Sequence, residues 1–345
     1  MFRQCFAIVA MILFSTARFY GQNLEALPHY QPGQMVAGTI RVWGHGSFRR
    51  DFMGRLMKYW EEGFRKYQPQ IQIENRMYGT ASAIGALYTG AGDLAILGEE
   101  IRPAAAAAFE RVLHYPPEGV EIATGSLDVR NFDYAHVFFV HEDNPISKLT
   151  LTQLDGIFGD EHRRGPRNIR TWGELGLAGE WKDKPIHPYG WRLDDDFALY
   201  LQEALLMGSH KWNCDLRAFA HITNPDGTVY DHGKRILDAL ARDPLGIAVS
   251  NLRYMSPHVK PLALAARDGE PYYEATKENL VERKYPLTRI IPAFFNRAPG
   301  QPLDPKVKEF LRYLLSFEGQ QDILRDANYL PLSQNAIREQ LKKLD

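Results

Sequence analysis

The strongest constraint in this sequence is a hydrophobic period that switches repeatedly between about two and about 3.6 residues. Residues 40–43 form a short apolar run, and the turn Gly44-His45-Gly46-Ser47 follows it. Phe52, Met53, Leu56, Met57, Trp60, Phe64 and Tyr67 then recur at helical spacing. Gln68-Pro69 stops that helix. Ile71, Ile73, Asn75 and Met77 alternate as a strand, and Gly79-Thr80 leads into a short helix over residues 81–89, closed by Gly90. Residues 93–97 are a further strand, and the alanine run at 104–108 is a good helix former. The alternation resumes with strands at 134–140, 185–191, 246–250, 259–265 and 287–296. Helices are expected from the Thr150 cap to Phe158, over 197–207, over 236–241 and, as one long helix, over 307–325. Strands separated by helices imply α/β layering with mixed, mostly parallel sheets flanked by helices. Ligands on such sheets sit at the carboxyl ends of strands, beside helix N-termini.

The chain has 345 residues, which at roughly 100–200 residues per domain implies about two domains. Its 41 basic and 42 acidic residues leave a net charge of −1, so nothing draws it generally to nucleic acid or anionic lipid, and any anion site must be local. Apolar residues at 45% and charged residues at 24% exclude a disordered chain, a collagen-like fibre and a multi-span membrane protein. Two cysteines are too few for a disulfide framework or a Cys-rich zinc site. Near the N-terminus, Arg3 precedes an apolar run over residues 5–14, and Ser15, Thr16 and Ala17 follow. A membrane span needs about 20 apolar residues, so this segment reads as a secretory signal, cleaved after Ala17 or Gly21. Cys5, at the very start of this run, comes too early to be a lipidation site. The mature chain then keeps only Cys214 and has no intrachain disulfide. A soluble protein of the periplasm or extracellular space is expected, with residues 22–37 as a loose leader.

Three strand-to-helix junctions carry the candidate chemistry. The first is Gly44-His45-Gly46-Ser47-Phe48, where glycines let backbone approach a ligand. The second is Gly79-Thr80-Ala81-Ser82. The hydroxyl residues at both have a plainer use as helix caps. The third is Gly190-Trp191-Arg192, followed by Leu193, Asp194, Asp195, Asp196 and Phe197; there the plain reading is a solvated surface arginine. Together the junctions offer free N–H groups, the positive ends of helix dipoles, neutral hydroxyls and one guanidinium. Such a set binds a compact oxyanion without net positive charge.

At these residues the chain resembles the substrate-binding proteins of phosphate ABC transporters, with the type 2 periplasmic binding protein fold. The turn with Ser47 and Phe48 is similar to the family's first phosphate loop, Thr80 stands at a ligand Ser/Thr position, and Arg192 matches the ligand arginine. The segments VHEDNPISKLTLTQLDGIFG, DPLGIAVSNLRY, YPLTRIIPAFFN and LLSFEGQQDILRDANYLPLS are similar to scaffold segments in the same order, so the resemblance spans about residues 38–333. It implies two lobes, 38–143 with 286–345 and 144–285, joined by two crossover segments near 143–146 and 284–286. It implies an oxyanion such as phosphate held intact in the interlobe cleft, with Gly46, Ser47, Phe48, Thr80, Ser82, Arg192 and Asp194 as ligand-binding residues. An ABC permease as partner, a monomeric state and no enzymatic activity or cofactor also follow from it.

The third loop departs from the family pattern. Where a Gly/Ser/Thr loop is usual, Leu193-Asp194-Asp195-Asp196 stands, and Gly98-Glu99-Glu100 follows the strand at 93–97. One like-charge pair at 4 Å costs about 1 kcal/mol in water and roughly 4 at an effective dielectric of 20. Several carboxylates facing a phosphate dianion would cancel most of a micromolar site's roughly 8 kcal/mol. Either the aspartates face away, or Asp194 accepts a proton from the oxyanion, or the ligand is another one. The second reading is therefore a divergent member of the fold, with a different small ligand or only a protein partner. A third is an exported hydrolase using His45 and Ser47, supported only by adjacency. Among the eleven histidines no metal-ligand spacing occurs, and Gly44-x-Gly46 lacks the third glycine of a dinucleotide fingerprint. No metal is expected.

Overall fold

The computed structural model describes residues 24–46, 53–129 and 134–345. They divide into two compact units. Unit one takes the chain up to Gly125 and again from Ile290 to Asp345, and unit two takes Tyr134–Arg289 with the short segment that begins at Ser126. The apolar N-terminal run lies outside the described residues, and no helix among the described residues is long and apolar enough to cross a membrane.

Unit one begins with β1 (Gly38–Gly44), α1 (Gly54–Arg65), β2 (Ile71–Arg76), α2 (Thr80–Tyr88), β3 (Leu94–Ile96), α3 (Pro103–Leu113) and β4 (Glu118–Thr124). The periodic residues of α1 do what their spacing predicts: Leu56, Met57, Trp60 and Phe64 are buried on one stripe. At roughly 1.5–3 kcal/mol per large apolar side chain, this stripe fixes the helix on the sheet. Unit two follows with β5 (Val137–His141), β6 (Lys148–Thr150), α4 (Leu151–Phe158), β7 (His187–Trp191), α5 (Asp196–Ala204), β8 (Arg217–Phe219), β9 (Ile222–Thr223), β10 (Val229–Tyr230), α6 (His232–Leu240), β11 (Gly246–Ser250), β12 (Val259–Pro261), β13 (Ala263–Ala265) and α7 (Lys277–Val281). The chain re-enters unit one with β14 (Ile290–Phe295), α8 (Pro305–Leu314), α9 (Phe317–Asp326) and α10 (Gln334–Lys342).

Each unit holds a five-stranded sheet, in the orders β2-β1-β3-β14-β4 and β12-β5-β11-β7-β8. Both are mixed. In unit one β1 pairs in parallel with β2 and β3, whereas the returning β14 runs antiparallel to β3 and β4. In unit two β7 pairs in parallel with β8 and β11, whereas β5 runs antiparallel to β11 and β12. The α/β architecture follows from the period switching; within the two five-stranded sheets the parallel pairs are those of β1 with β2 and β3 and of β7 with β8 and β11, each with helix in the intervening chain.

Several expectations need correction. Residues 143–146, expected as a crossover, lie within unit two, because β5 is bonded into the second sheet through β11 and β12. The second crossover lies at 289–290 rather than 284–286. The segment read as a loose leader is packed: Leu24, Leu27, Tyr30 and Val36 are buried in the core of unit one. Tyr30 donates its hydroxyl to Glu309 at 2.7 Å, and its ring meets Phe64, Tyr67 and Tyr313. The long helix expected over 307–325 is two helices, broken at Ser316, which caps α9 by accepting from the Gly319 N–H. The strand expected over 259–265 splits at Leu262, whose N–H donates to Phe138 O; β12 joins β5 and β13 joins β6.

Candidate functional site

In unit one, three turns meet at the carboxyl ends of β1, β2 and β3. The Gly79 N–H donates to Gly44 O at 2.9 Å, and the His45 N–H donates to Ile96 O at 2.9 Å. Gly46 passes so close to the second turn that a Cβ there would lie 2.5 Å from Met77 O. Gly98 is pressed against the His45 ring, where a Cβ would lie 2.0 Å from Nδ1. Only glycine fits either position without moving its neighbour. The Gly98 N–H donates to Thr80 Oγ1 at 3.2 Å. That bond uses an acceptor lone pair and leaves the Thr80 hydroxyl proton to donate elsewhere.

Gly79 opens α2 with φ of 136° and no side-chain cap. The positive end of this nine-residue helix therefore carries its own N–H groups beside the oriented Thr80 hydroxyl. Ser82 is different. Its hydroxyl donates to Gly79 O at 2.9 Å, so its proton is spent inside the turn and Ser82 is left an acceptor. Its assignment as an anion donor does not fit this geometry. Ser47 and Phe48 lie outside the described residues. Glu99, feared as a repulsive neighbour, is held by Arg102 at 3.1 Å.

Unit two carries Arg192 and Asp194. The chain leaves β7 at Trp191, the Arg192 N–H donates to Phe219 O at 3.0 Å, and the Asp195 N–H closes a turn on Arg192 O at 2.9 Å. Arg192 donates Nε and Nη2 to the two oxygens of Asp194, at 2.5 and 2.7 Å. This fork holds the Asp194 carboxyl below its ordinary range and raises the guanidinium. Asp194 thus faces the arginine rather than standing ready to take a ligand proton. Asp195 caps α5 by accepting from the Phe197 N–H at 3.1 Å. The acidic loop is therefore largely consumed locally, and so is its one arginine. Both members of the fork are about two-thirds exposed, at 64% and 66%, so breaking it costs little.

Sequence reasoning passed over the interior behind this loop. His136 is fully buried, with Trp191, Tyr200 and Phe197 rings at 4.9, 4.8 and 5.5 Å. Burial, reinforced by the positive charge of Arg289, pushes its imidazole well below the ordinary value, so it stays neutral. Arg289 is itself buried, stacked 4.1 Å over the Tyr200 ring. It stands where the chain passes from unit two to unit one. Its position directly before the apolar run of β14 was the available signal.

No family model matches the chain. It is 30% identical over 321 residues to the "Phosphate-binding protein PstS" of Pseudomonas aeruginosa, covering 92% of this chain and 91% of that protein. Among solved structures, PstS from Borrelia burgdorferi aligns with a TM-score of 0.57 at 14% identity, over 86% of this chain and 99% of that one. An ABC-type phosphate transport receptor from Vibrio cholerae aligns with a TM-score of 0.51 at 16% identity, over 84% and 99%. The structural likenesses establish the fold, that of periplasmic binding proteins. The sequence relationship, extending over more than nine-tenths of both chains, establishes the lineage: the chain belongs to the PstS family of phosphate-binding proteins.

Proposed function

We propose that this protein is an exported solute-binding protein that takes phosphate, or a closely similar oxyanion, and delivers it intact to an ABC permease. It is a carrier and not an enzyme. The observation that supports this most directly is the open N-terminus of α2, with the Thr80 hydroxyl oriented by the Gly98 N–H. An oxyanion there accepts hydrogen bonds from fixed donors that need no reorganisation. Arg192 is the proposed cationic partner, released from Asp194 when the ligand arrives. The Ser47 and Phe48 N–H groups complete the proposed set, closure on the ligand follows the hinge motion usual for this architecture, and the signal at residues 1–21 is proposed to direct export.

Calorimetric titration of the folded chain with phosphate, arsenate and sulfate tests this. Phosphate should bind, and Thr80→Val should weaken it by about ten- to a hundredfold, the worth of one hydrogen bond to a charged group. A folded chain that binds none of these anions overturns the oxyanion reading. The second reading, a family member devoted to another ligand or to a protein partner, is favoured by one observation, the Arg192–Asp194 fork. Phosphate affinity unchanged by Arg192→Ala would support it, and a clear loss would remove it.

A further inference from the structure

We propose that unit two holds a divalent transition-metal site built from His221, Asp231 and His232. One ligand atom from each of the first three lies within 4.8 Å of the others. His232 is buried, 4% exposed. Its Nδ1 has no hydrogen-bond partner among the described residues, yet it points to within 3.2 Å of Asp195 Oδ2. The other nitrogen of that ring, Nε2, lies 4.0 Å from Asp231 Oδ1, so Nδ1 faces Asp195, which orients the ring, and Nε2 faces the cluster.

The elements explain the gathering. Asp231 caps α6, accepting from the Gly233 N–H through Oδ1 at 2.9 Å, and its Oδ2 lies 3.8 Å from His221 Nδ1. Its neighbour His232 is the first residue of the same helix. His221 stands between β8 and β9 and accepts from the His232 N–H at 3.2 Å. Asp195, the cap of α5, arrives separately at the far nitrogen of the His232 ring. Two imidazoles with a carboxylate are the donor set of zinc and its neighbours, whereas calcium and magnesium prefer oxygen alone.

The geometry also states what must move. Zinc bonds of about 2.0–2.1 Å place tetrahedral ligand atoms roughly 3.4 Å apart, so the cluster must tighten. The His221 and His232 rings lie stacked, centroids 3.9 Å apart and 22° from parallel, and two parallel rings cannot aim in-plane lone pairs at one ion. His221 is the most exposed member, its side chain 41% exposed against 6% for His232 and 8% for Asp231, so the tightening falls to its ring. That movement gives up, among its contacts, the long bond from the His232 N–H. The site rests on unit two alone and stands whether or not the chain binds phosphate.

Titration of the full mature chain, stripped with chelator, with Zn2+ alone provides the test. One ion per chain should bind, with a rise in melting temperature that scales with metal concentration. His221→Ala should weaken binding by about tenfold or more, as should Asp231→Asn, which keeps the cap, with the circular-dichroism spectrum of each variant checking that it is folded. Co2+ should give visible absorption bands that are lost in the same variants. His258→Ala, at an exposed pair with Glu142, should leave binding unchanged. A folded wild-type chain that takes up no Zn2+, or one whose affinity is untouched by His221→Ala and Asp231→Asn, overturns the proposal.

Discussion

Arg41 donates Nε and Nη2 to the carboxylate of Asp93 at 3.0 and 2.6 Å, the same fork that Arg192 makes with Asp194. The surroundings separate them. Asp93 also accepts from the Arg41 backbone N–H at 2.8 Å and ties the edge of β1 to the entry of β3, with its side chain only 22% exposed. Burial alone would raise the Asp93 carboxyl, but the hydrogen bonds from Arg41 outweigh it and hold the group below its ordinary range. Unfolded, an aspartate titrates near pH 4. Because the folded value is lower, the pair's contribution is complete above about pH 4 and is lost as pH falls through the folded value. Asp93→Asn should therefore cost on the order of 1 kcal/mol at pH 7, discounted for partial exposure. Urea denaturation should show this gap closing below about pH 4; a gap that persists to pH 2 would mean the charge contributes nothing. Neither fork was legible in the sequence: Arg192 and Asp194 were expected on a ligand, and Arg41 and Asp93 drew no reading as a pair, because partner and exposure depend on which strands pair. The same holds for Gly98, whose role needs the His45 ring, and for His221, Asp231 and His232, which meet only through the folding of unit two.

At the level of elements, periodicity located the buried stripe of α1 and the strands around it, since apolar spacing and burial have one cause. It failed where two structures share one pattern. Leu314, Leu315 and Phe317 continue a helical apolar period straight through Ser316, so α8 and α9 read as one helix; only the Ser316 cap marks the break. The strand β4 drew no assignment, because Glu118, Gly119 and Glu121 dilute its apolar pattern although Val120, Ile122 and Ala123 are buried. The α8–α9 corner gives a prediction in which two effects compete. Gly→Ala inside a helix usually gains up to about 1 kcal/mol. At Gly319, however, a Cβ would lie 2.2 Å from Tyr313 O and 2.7 Å from Leu314 Cα. Backbone is the obstacle, and backbone does not swing aside, so overpacking should win by about 1–3 kcal/mol. Thermal denaturation of Gly319→Ala should show a lower melting temperature. An unchanged or higher one would mean that the corner has slack.

For the whole molecule, the division into two units was legible in length and in the doubled run of strand–helix alternation, but the first passage between them was not. Asp143-Asn144-Pro145 has strong turn chemistry, and Asn144 does make a turn, accepting from the Ile146 N–H at 2.9 Å; it lies wholly inside unit two. The N-terminal segment was misread for a related reason: Pro and Gly mark loops, and loops are commonly exposed, yet here Tyr30 is 4% exposed. Its hydroxyl joins Glu309 on α8 and accepts from Gln68 Nε2 at 3.2 Å, so the segment clamps two distant parts of unit one. Replacing a buried aromatic with alanine costs about 3–5 kcal/mol, a large share of the roughly 5–15 kcal/mol that stabilises a domain. Nothing in unit two touches Tyr30 through these bonds, so Tyr30→Ala should act on one unit only. Calorimetry should then resolve two transitions, the earlier one belonging to unit one and the later one close to the wild-type melt. A single transition shifted as a whole would mean that the two units unfold together, and that their stability is shared in spite of their separate cores.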